Sequence, residues 1–350
     1  MQQVTDLRIL SSEALPSPME LRQRVPRTDA QTELVARVRR EIHEIIQGRD
    51  PRLLVVVGPC SIHDVKACLE YARRLKTLAD ELDDRLLILM RVYFEKPRTT
   101  IGWKGLIMDP HMNNTCDIPV GLQLAREILG QVLDIGMSTA TEFLDPITPQ
   151  YIADSIGWAA IGARTVESQT HRQMASGLSM PVGFKNGTSG DLQVAVNAIL
   201  AASKPQTFLG ITSEGRAAAV TTSGNPDCQL VLRGGTVGPN FSSAHVAQAS
   251  TLLRKNKLNP SLMIDCSHAN SDKNFELQPI VLNDILNQIA AGNRDIHAVM
   301  IESHLTAGVQ LLTPDHSQLR YGVSITDGCI GWETTEACLR QAHGSLKSRI

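Results

Sequence analysis

Residues 53–82 read LLVVVGPCSIHDVKACLEYARRLKTLADEL. An apolar run over 53–57 stops at Gly58-Pro59-Cys60, and the pattern then changes period. Val65, Leu69, Ala72, Leu75, Leu78 and Leu82 recur every three or four residues. A short, wholly apolar run suits a parallel strand buried on both faces. The spacing after it is that of a helix with one buried face. The same alternation continues down the chain, with further strand candidates at 86–94, 139–144, 159–164, 181–185, 229–233, 262–268 and 298–304. Between them lie helical patterns such as Leu122, Ala125, Ile128 and Val132, or Val281, Ile285 and Ile289. Eight such units predict an α/β fold, a (β/α)8 TIM barrel. An open doubly wound sheet is the alternative that the pattern also allows.

Two segments exceed a minimal barrel. Residues 1–50 form an N-terminal extension with a helix expected over 32–47. A hairpin is expected within 207–225, its arms at 207–212 and 217–222 around Ser213-Glu214-Gly215. The barrel itself is expected over 51–350, with a last helix after Gly331. Thr148-Pro149 reads as a helix cap followed by proline at the first helical position. Additions of this kind are expected to serve oligomer contacts or regulation.

Composition narrows the function. The 350 residues suit one large barrel with additions. Hydrophobic residues at 42% and charged residues at 20% exclude a disordered chain or a coiled coil. Lys+Arg is 34 against 36 Asp+Glu, a net charge of -2, which gives no footprint for nucleic acid or an anionic membrane. Aromatic residues, at 4%, are too few for base-stacking platforms. The seven cysteines are odd in number and lack Cys-x-x-Cys spacing, which argues against a disulfide framework or a zinc ribbon. No apolar run reaches about 18 residues, and the polar start does not look like a signal peptide. A cytoplasmic protein with reduced thiols is expected.

In such a barrel, chemistry sits at the C-terminal ends of the strands. The expected ends carry Cys60; Arg91 with Lys96-Pro97-Arg98-Thr99; Glu142; Arg164; Lys185; Arg233; Asp265-Cys266-Ser267-His268; and Glu302, with Asp327 in the last loop. Arg91, Arg164, Lys185 and Arg233 place four cations at one rim. Cations buried together need compensation, and a phosphate or carboxylate ligand supplies it. Barrel closure would set the last strand beside the first. Cys60, His268, Glu302 and Asp327 would then form a site for one divalent metal ion, Mn, Fe, Co or Zn, the sulfur arguing against Mg. These residues alone allow a metal-dependent aldolase, a sugar-phosphate isomerase or a non-catalytic phosphometabolite sensor.

Specific strings go further. They are Gly58-Pro59-Cys60-Ser61-Ile62-His63-Asp64, Lys96-Pro97-Arg98-Thr99-Thr100, Gly102-Trp103-Lys104-Gly105, Ile161-Gly162-Ala163-Arg164-Thr165, Gly183-Phe184-Lys185-Asn186-Gly187-Thr188, Asp265-Cys266-Ser267-His268-Ala269-Asn270 and Ile301-Glu302-Ser303. In this order, over essentially the whole chain, they resemble the 3-deoxy-D-arabino-heptulosonate-7-phosphate (DAHP) synthases of the microbial class regulated by aromatic amino acids.

The resemblance implies condensation of phosphoenolpyruvate with erythrose 4-phosphate, the first step of the shikimate route to aromatic amino acids. It implies Cys60, His268, Glu302 and Asp327 as metal ligands and Arg91, Arg164, Lys185 and Arg233 as phosphoenolpyruvate anchors. Lys96, Pro97, Arg98, Thr99 and Asp327 fall beside erythrose 4-phosphate, and Lys96, Glu142, Lys185 and His268 are the implied catalytic groups. A homodimer or homotetramer is also implied, with an aromatic amino-acid effector, taken to be tyrosine. Its pocket would comprise Pro149, Gln150, Met174, Leu178, Ser179, Phe208, Gly210 and Val220, with a neighbouring subunit's Asp6 and Leu7 as a lid. The chain departs from the expected pattern at Val166, Ser189, Thr236 and Gly328, the last standing where alanine is expected. A 3-deoxy-octulosonate 8-phosphate synthase is disfavoured by the Lys-Pro-Arg-Thr string and the N-terminal extension. A non-catalytic aromatic amino-acid sensor is disfavoured by the intact ligand set.

Overall fold

The computed structural model describes residues 4–347. α1 (Pro18–Arg24) opens on a capping box between Ser17 and Glu20. α2 (Asp29–Ile46) opens on a second box, between Thr28 and Gln31. It begins earlier than expected because Thr28, rather than the first apolar residue, sets its end. Strand and helix then alternate: β1 (Leu53–Gly58), α3 (Val65–Glu81), β2 (Leu86–Arg91), α4 (Ile118–Asp134), β3 (Thr139–Glu142), α5 (Thr148–Ile152), β4 (Trp158–Ile161), α6 (Gln169–Ser176), β5 (Val182–Lys185) and α7 (Gln193–Ala202). The antiparallel hairpin β6 (Gln206–Ile211) and β7 (Ala217–Thr222) interrupts. Then follow β8 (Cys228–Leu232), α8 (Ser243–Lys255), β9 (Leu262–Asp265), α9 (Gln278–Ala290), β10 (Ile296–Glu302) and α10 (Trp332–Ser345).

Eight parallel strands close in the order β1-β10-β9-β8-β5-β4-β3-β2. Closure excludes the open doubly wound sheet. Leu54, Val56, Leu87, Leu89, Trp158, Val231, Met263 and Met300 fill the barrel interior, in one cluster with Leu34, Val35, Val38, Ile42, Ile45 and Ile46 of α2. Arg39 of α2 donates to the Ile156 carbonyl ahead of β4, and Asn259 ahead of β9 donates to the Ile46 carbonyl. α2 therefore plugs the mouth where the strands begin. Its amphipathic face is part of the core, and only the opposite mouth stays open to a ligand. Among the described residues no helix is long and apolar enough to cross a membrane.

Several strands stop short of the apolar runs that announced them. β4 ends before Arg164, β8 before Arg233 and β9 before His268. A backbone turn onto the Gly162 carbonyl follows β4, and side chains take over from the ladder after β8 and β9. Arg233 N–H donates to Asn186 Oδ1, and Ser267 N–H donates to Asp265 Oδ1. The chain thereby turns outward and spreads the polar residues over the mouth. Thr148 is not the cap of α5. The capping position is Ile147, and the Thr148 hydroxyl donates instead to Glu95.

Candidate active site

Register builds the first half of the site. β1 pairs with β10 so that Gly58 faces Glu302, and the Ser303 N–H donates to the Gly58 carbonyl. Cys60, two residues beyond β1, is thereby held beside Glu302. One ligating atom each of Cys60, Glu302 and Asp327 lies within 4.8 Å of the others. The Cys60 thiol is wholly buried and donates to Asp327 Oδ2 at 3.4 Å. Burial, then the neighbouring Glu302, pushes this thiol up to about 11.

His268 stands outside that compact group but lines the same cavity. Its backbone is left-handed, with φ of +57°. Its Nδ1 lies 2.9 Å from Asp265 Oδ2 and 2.7 Å from Ser267 Oγ. With Nδ1 hydrogen-bonded to Ser267 Oγ and set beside the Asp265 carboxylate, Nε2 is the ring atom left to ligate, the usual arrangement of a metal-binding histidine. A thiol, two carboxylates and an oriented imidazole fit a divalent ion with affinity for sulfur, nitrogen and oxygen.

The second half is cationic. Arg91 is fully buried and lies 3.1 Å from Glu302. Lys185 Nζ lies 3.3 Å from Glu142 and 3.5 Å from Asp265. Lys96 Nζ donates to both the Sγ and the carbonyl of Cys60 at 3.1 Å. Burial opposes the charge on Lys96, but Cys60, Glu302 and Asp327 outweigh it and hold the ammonium above the ordinary lysine range. Burial likewise opposes ionisation of Glu142, and Lys185 with Lys96 overcomes it. Gly162 makes room for that carboxylate, since a Cβ there would meet Glu142 Oε1 at 2.6 Å. Arg233 is half-buried. Arg164 is exposed at the rim, its Nε donating to Thr99 Oγ1 at 3.1 Å.

One cavity gathers these groups. Arg91, Lys96, Arg98, Arg164, Lys185, Arg233 and Lys273 line it against three carboxylates, Glu142, Glu302 and Asp327. Arg91, Lys96 and Lys185 are buried, while Arg98, Arg164, Arg233 and Lys273 are partly or fully exposed toward the mouth, a surplus of four cations that suits an anionic ligand entering from solvent. Pro97 and His268 also line it, Cys60 lies buried below, and Thr99 stays on the exposed loop. Tyr93, Lys273 and Phe275 line the cavity as well, and sequence reasoning had not placed them there. Tyr93 sat inside an apolar run and read as core. Phe275 explains Gly328, where a Cβ would meet its ring at 2.4 Å.

A second cavity of about 500 Å3, within the ordinary range for small-molecule sites, opens beside the hairpin. Pro149, Gln150, Met174, Leu178, Ser179, Phe208, Gly210 and Val220 all line it. Asp6 and Leu7 lie on the exposed N-terminal segment and do not line it within one chain. Glu95 runs between the two cavities. It precedes Lys96 and accepts from the Leu144 and Asp145 N–H groups and the Thr148 hydroxyl, just ahead of Pro149. Burial lifts its carboxyl to about 8, against the opposing pull of those hydrogen bonds.

Residues 26–340 match the model of the DAHP synthetase I family. The chain belongs to that family. The Tyr-sensitive phospho-2-dehydro-3-deoxyheptonate aldolase of Escherichia coli is 52% identical over 347 residues, 99% of this chain and 97% of the relative. The Phe-sensitive aldolase of the same organism is 54% identical over 344 residues, 98% of each chain. The solved phospho-2-dehydro-3-deoxyheptonate aldolase of Francisella tularensis superposes with a TM-score of 0.95 at 48% identity, covering 98% of this chain and 99% of that one. The DAHP synthetase I family is thus matched along nearly the whole chain. Overall identity does not separate the two effector classes, which leaves that question to the second cavity.

Proposed function

We propose that this chain condenses phosphoenolpyruvate with erythrose 4-phosphate, giving DAHP and inorganic phosphate. The observation that carries the reading is the cavity in which a cation surplus stands against a thiol-carboxylate cluster at the C-terminal mouth of the barrel. In this reading Arg91, Lys185, Arg164 and Arg233 bind the phosphate and carboxylate of phosphoenolpyruvate. Arg98 and Thr99, with Pro97 shaping the turn, receive the phosphate of the tetrose.

Cys60, His268, Glu302 and Asp327 are the residues that would hold a divalent ion, which when bound polarises a carbonyl oxygen as a Lewis acid. The cationic arc orients the methylene of phosphoenolpyruvate toward the aldehyde carbon, where the new C–C bond forms. Lys96 gives a proton from Nζ to the oxygen that was the aldehyde. Glu142 orients the water that adds to the phosphate-bearing carbon. The hemiketal phosphate then loses inorganic phosphate by C–O cleavage. Mass spectrometry of a reaction with both substrates tests the reading: a seven-carbon 3-deoxy-2-keto acid phosphate is expected, and unchanged substrates would refute it.

The second cavity is read as an effector site for tyrosine. Leu178, Phe208 and Val220 supply an apolar wall, and Ser179 a polar group. Tyrosine exceeds phenylalanine by a hydroxyl that needs room and a partner when buried. Gly210 puts no side chain into the cavity, and a Cβ there would meet Val220 Cγ2 at 2.9 Å, so any side chain at 210 crowds the apolar wall and narrows the space for a hydroxyl. Gly210→Ser is therefore expected to weaken inhibition by tyrosine and strengthen inhibition by phenylalanine, read from steady-state inhibition by each aromatic amino acid. Wild-type enzyme inhibited by phenylalanine or tryptophan and indifferent to tyrosine would contradict the assignment.

A further inference from the structure

We propose that Tyr93 is a positioning residue for phosphoenolpyruvate, its ring face gathering the cations of Arg91, Lys96 and Lys185 into one binding arc. This rests on the reading that the arc binds phosphoenolpyruvate. Tyr93 lies two residues past the end of β2 and is 1% exposed. The Arg91 guanidinium carbon stands 3.8 Å from its ring centroid, Lys96 Nζ 5.8 Å and Lys185 Nζ 6.0 Å. All three distances fall within the reach of a cation–π attraction, about 6 Å. The cations come from β2, the loop after it and β5, and the ring lies within reach of all three.

Such an arrangement answers a specific problem. Buried like charges repel, yet compensating them with carboxylates consumes the N–H groups that an anionic substrate needs. Arg91 already donates to the Pro59 carbonyl, Met300 Sδ and Glu302, leaving two of its five N–H donors. Lys185 has two carboxylates within ion-pair distance and only three donors. An aromatic face attracts all three cations through its quadrupole and takes no donor from any of them. The Tyr93 hydroxyl contributes little, its contact being Met300 Sδ at 3.8 Å. The ring, not the phenol, is the working part.

The test keeps the shape of the side chain and changes its charge distribution. In the full-length, manganese-loaded enzyme, the KM for phosphoenolpyruvate of Tyr93→Phe, which keeps the ring, is the reference for the series. Phenylalanine analogues carrying one, three and five fluorines at position 93 are expected to raise that KM stepwise, to roughly five- to thirty-fold at five fluorines. The KM for erythrose 4-phosphate and kcat should move much less, because the interaction is made equally in ground and transition states. Calorimetric titration with phosphoenolpyruvate alone should give the same progression. Wild-type binding with a flat fluorine series, or a loss carried by kcat alone, overturns the role of Tyr93. Wild-type enzyme that binds no phosphoenolpyruvate overturns the assignment of the pocket, and the role of Tyr93 with it.

Discussion

Cys60→Ala is expected to lower turnover on the order of a thousandfold and to cost the protein most of its bound metal. Cys60 is the one soft donor in the cluster with Glu302 and Asp327, and its sulfur is fully buried. Lewis-acid stabilisation is worth several kcal/mol of barrier, and each 1.36 kcal/mol is a factor of ten. Alanine leaves two carboxylates and an imidazole, a set that holds a borderline-soft ion less well. Cys116, exposed on the loop before α4, is the control, and Cys116→Ser should match wild type in both readouts. Metal content by elemental analysis, read beside the rate, separates loss of the ion from loss of the fold. A Cys60→Ala enzyme with wild-type rate and metal content would remove the thiol from the site.

Lys96→Met is expected to lower kcat by about a hundred- to ten-thousand-fold, the usual range for a lost proton donor. The KM for phosphoenolpyruvate should change far less. Methionine preserves length and apolar stem while removing the ammonium 3.1 Å from Cys60 Sγ. That ammonium is the member of the cationic arc set against the thiol-carboxylate cluster, where the oxygen of the tetrose aldehyde would need a proton. Single-turnover rates should fall with kcat. Normal turnover in Lys96→Met would pass the proton-donor role to another group.

What the sequence disclosed follows from physics of different reach. Apolar runs such as those over 53–57 and 298–301 announce a sheet buried on both faces, and eight of them suit a barrel, whose closure the strand order shows. Closure in turn makes neighbours of Cys60 and Glu302, which are far apart along the chain. The cations could be counted from strand ends because each interrupts an apolar run. Tyr93 could not be singled out, since an aromatic residue in such a run looks like any core side chain. The plug formed by α2 was hidden for a related reason. Its spacing shows that one face is buried, not that the partner is the inside of the barrel. Glu95 resisted for the opposite reason. A carboxylate beside Lys96 reads as a solvated charge, and only the fold reveals it buried against the Leu144–Thr148 turn. The lining of the second cavity came from family resemblance, because nothing in its spacing distinguishes a pocket from a packed hairpin.

The most direct test of the whole account is phosphate release from phosphoenolpyruvate by the purified enzyme, with erythrose 4-phosphate or arabinose 5-phosphate as co-substrate, before and after EDTA. Release that requires erythrose 4-phosphate, stops with EDTA and returns on adding manganese is the predicted result. Release that prefers arabinose 5-phosphate, or that is indifferent to EDTA, would contradict it.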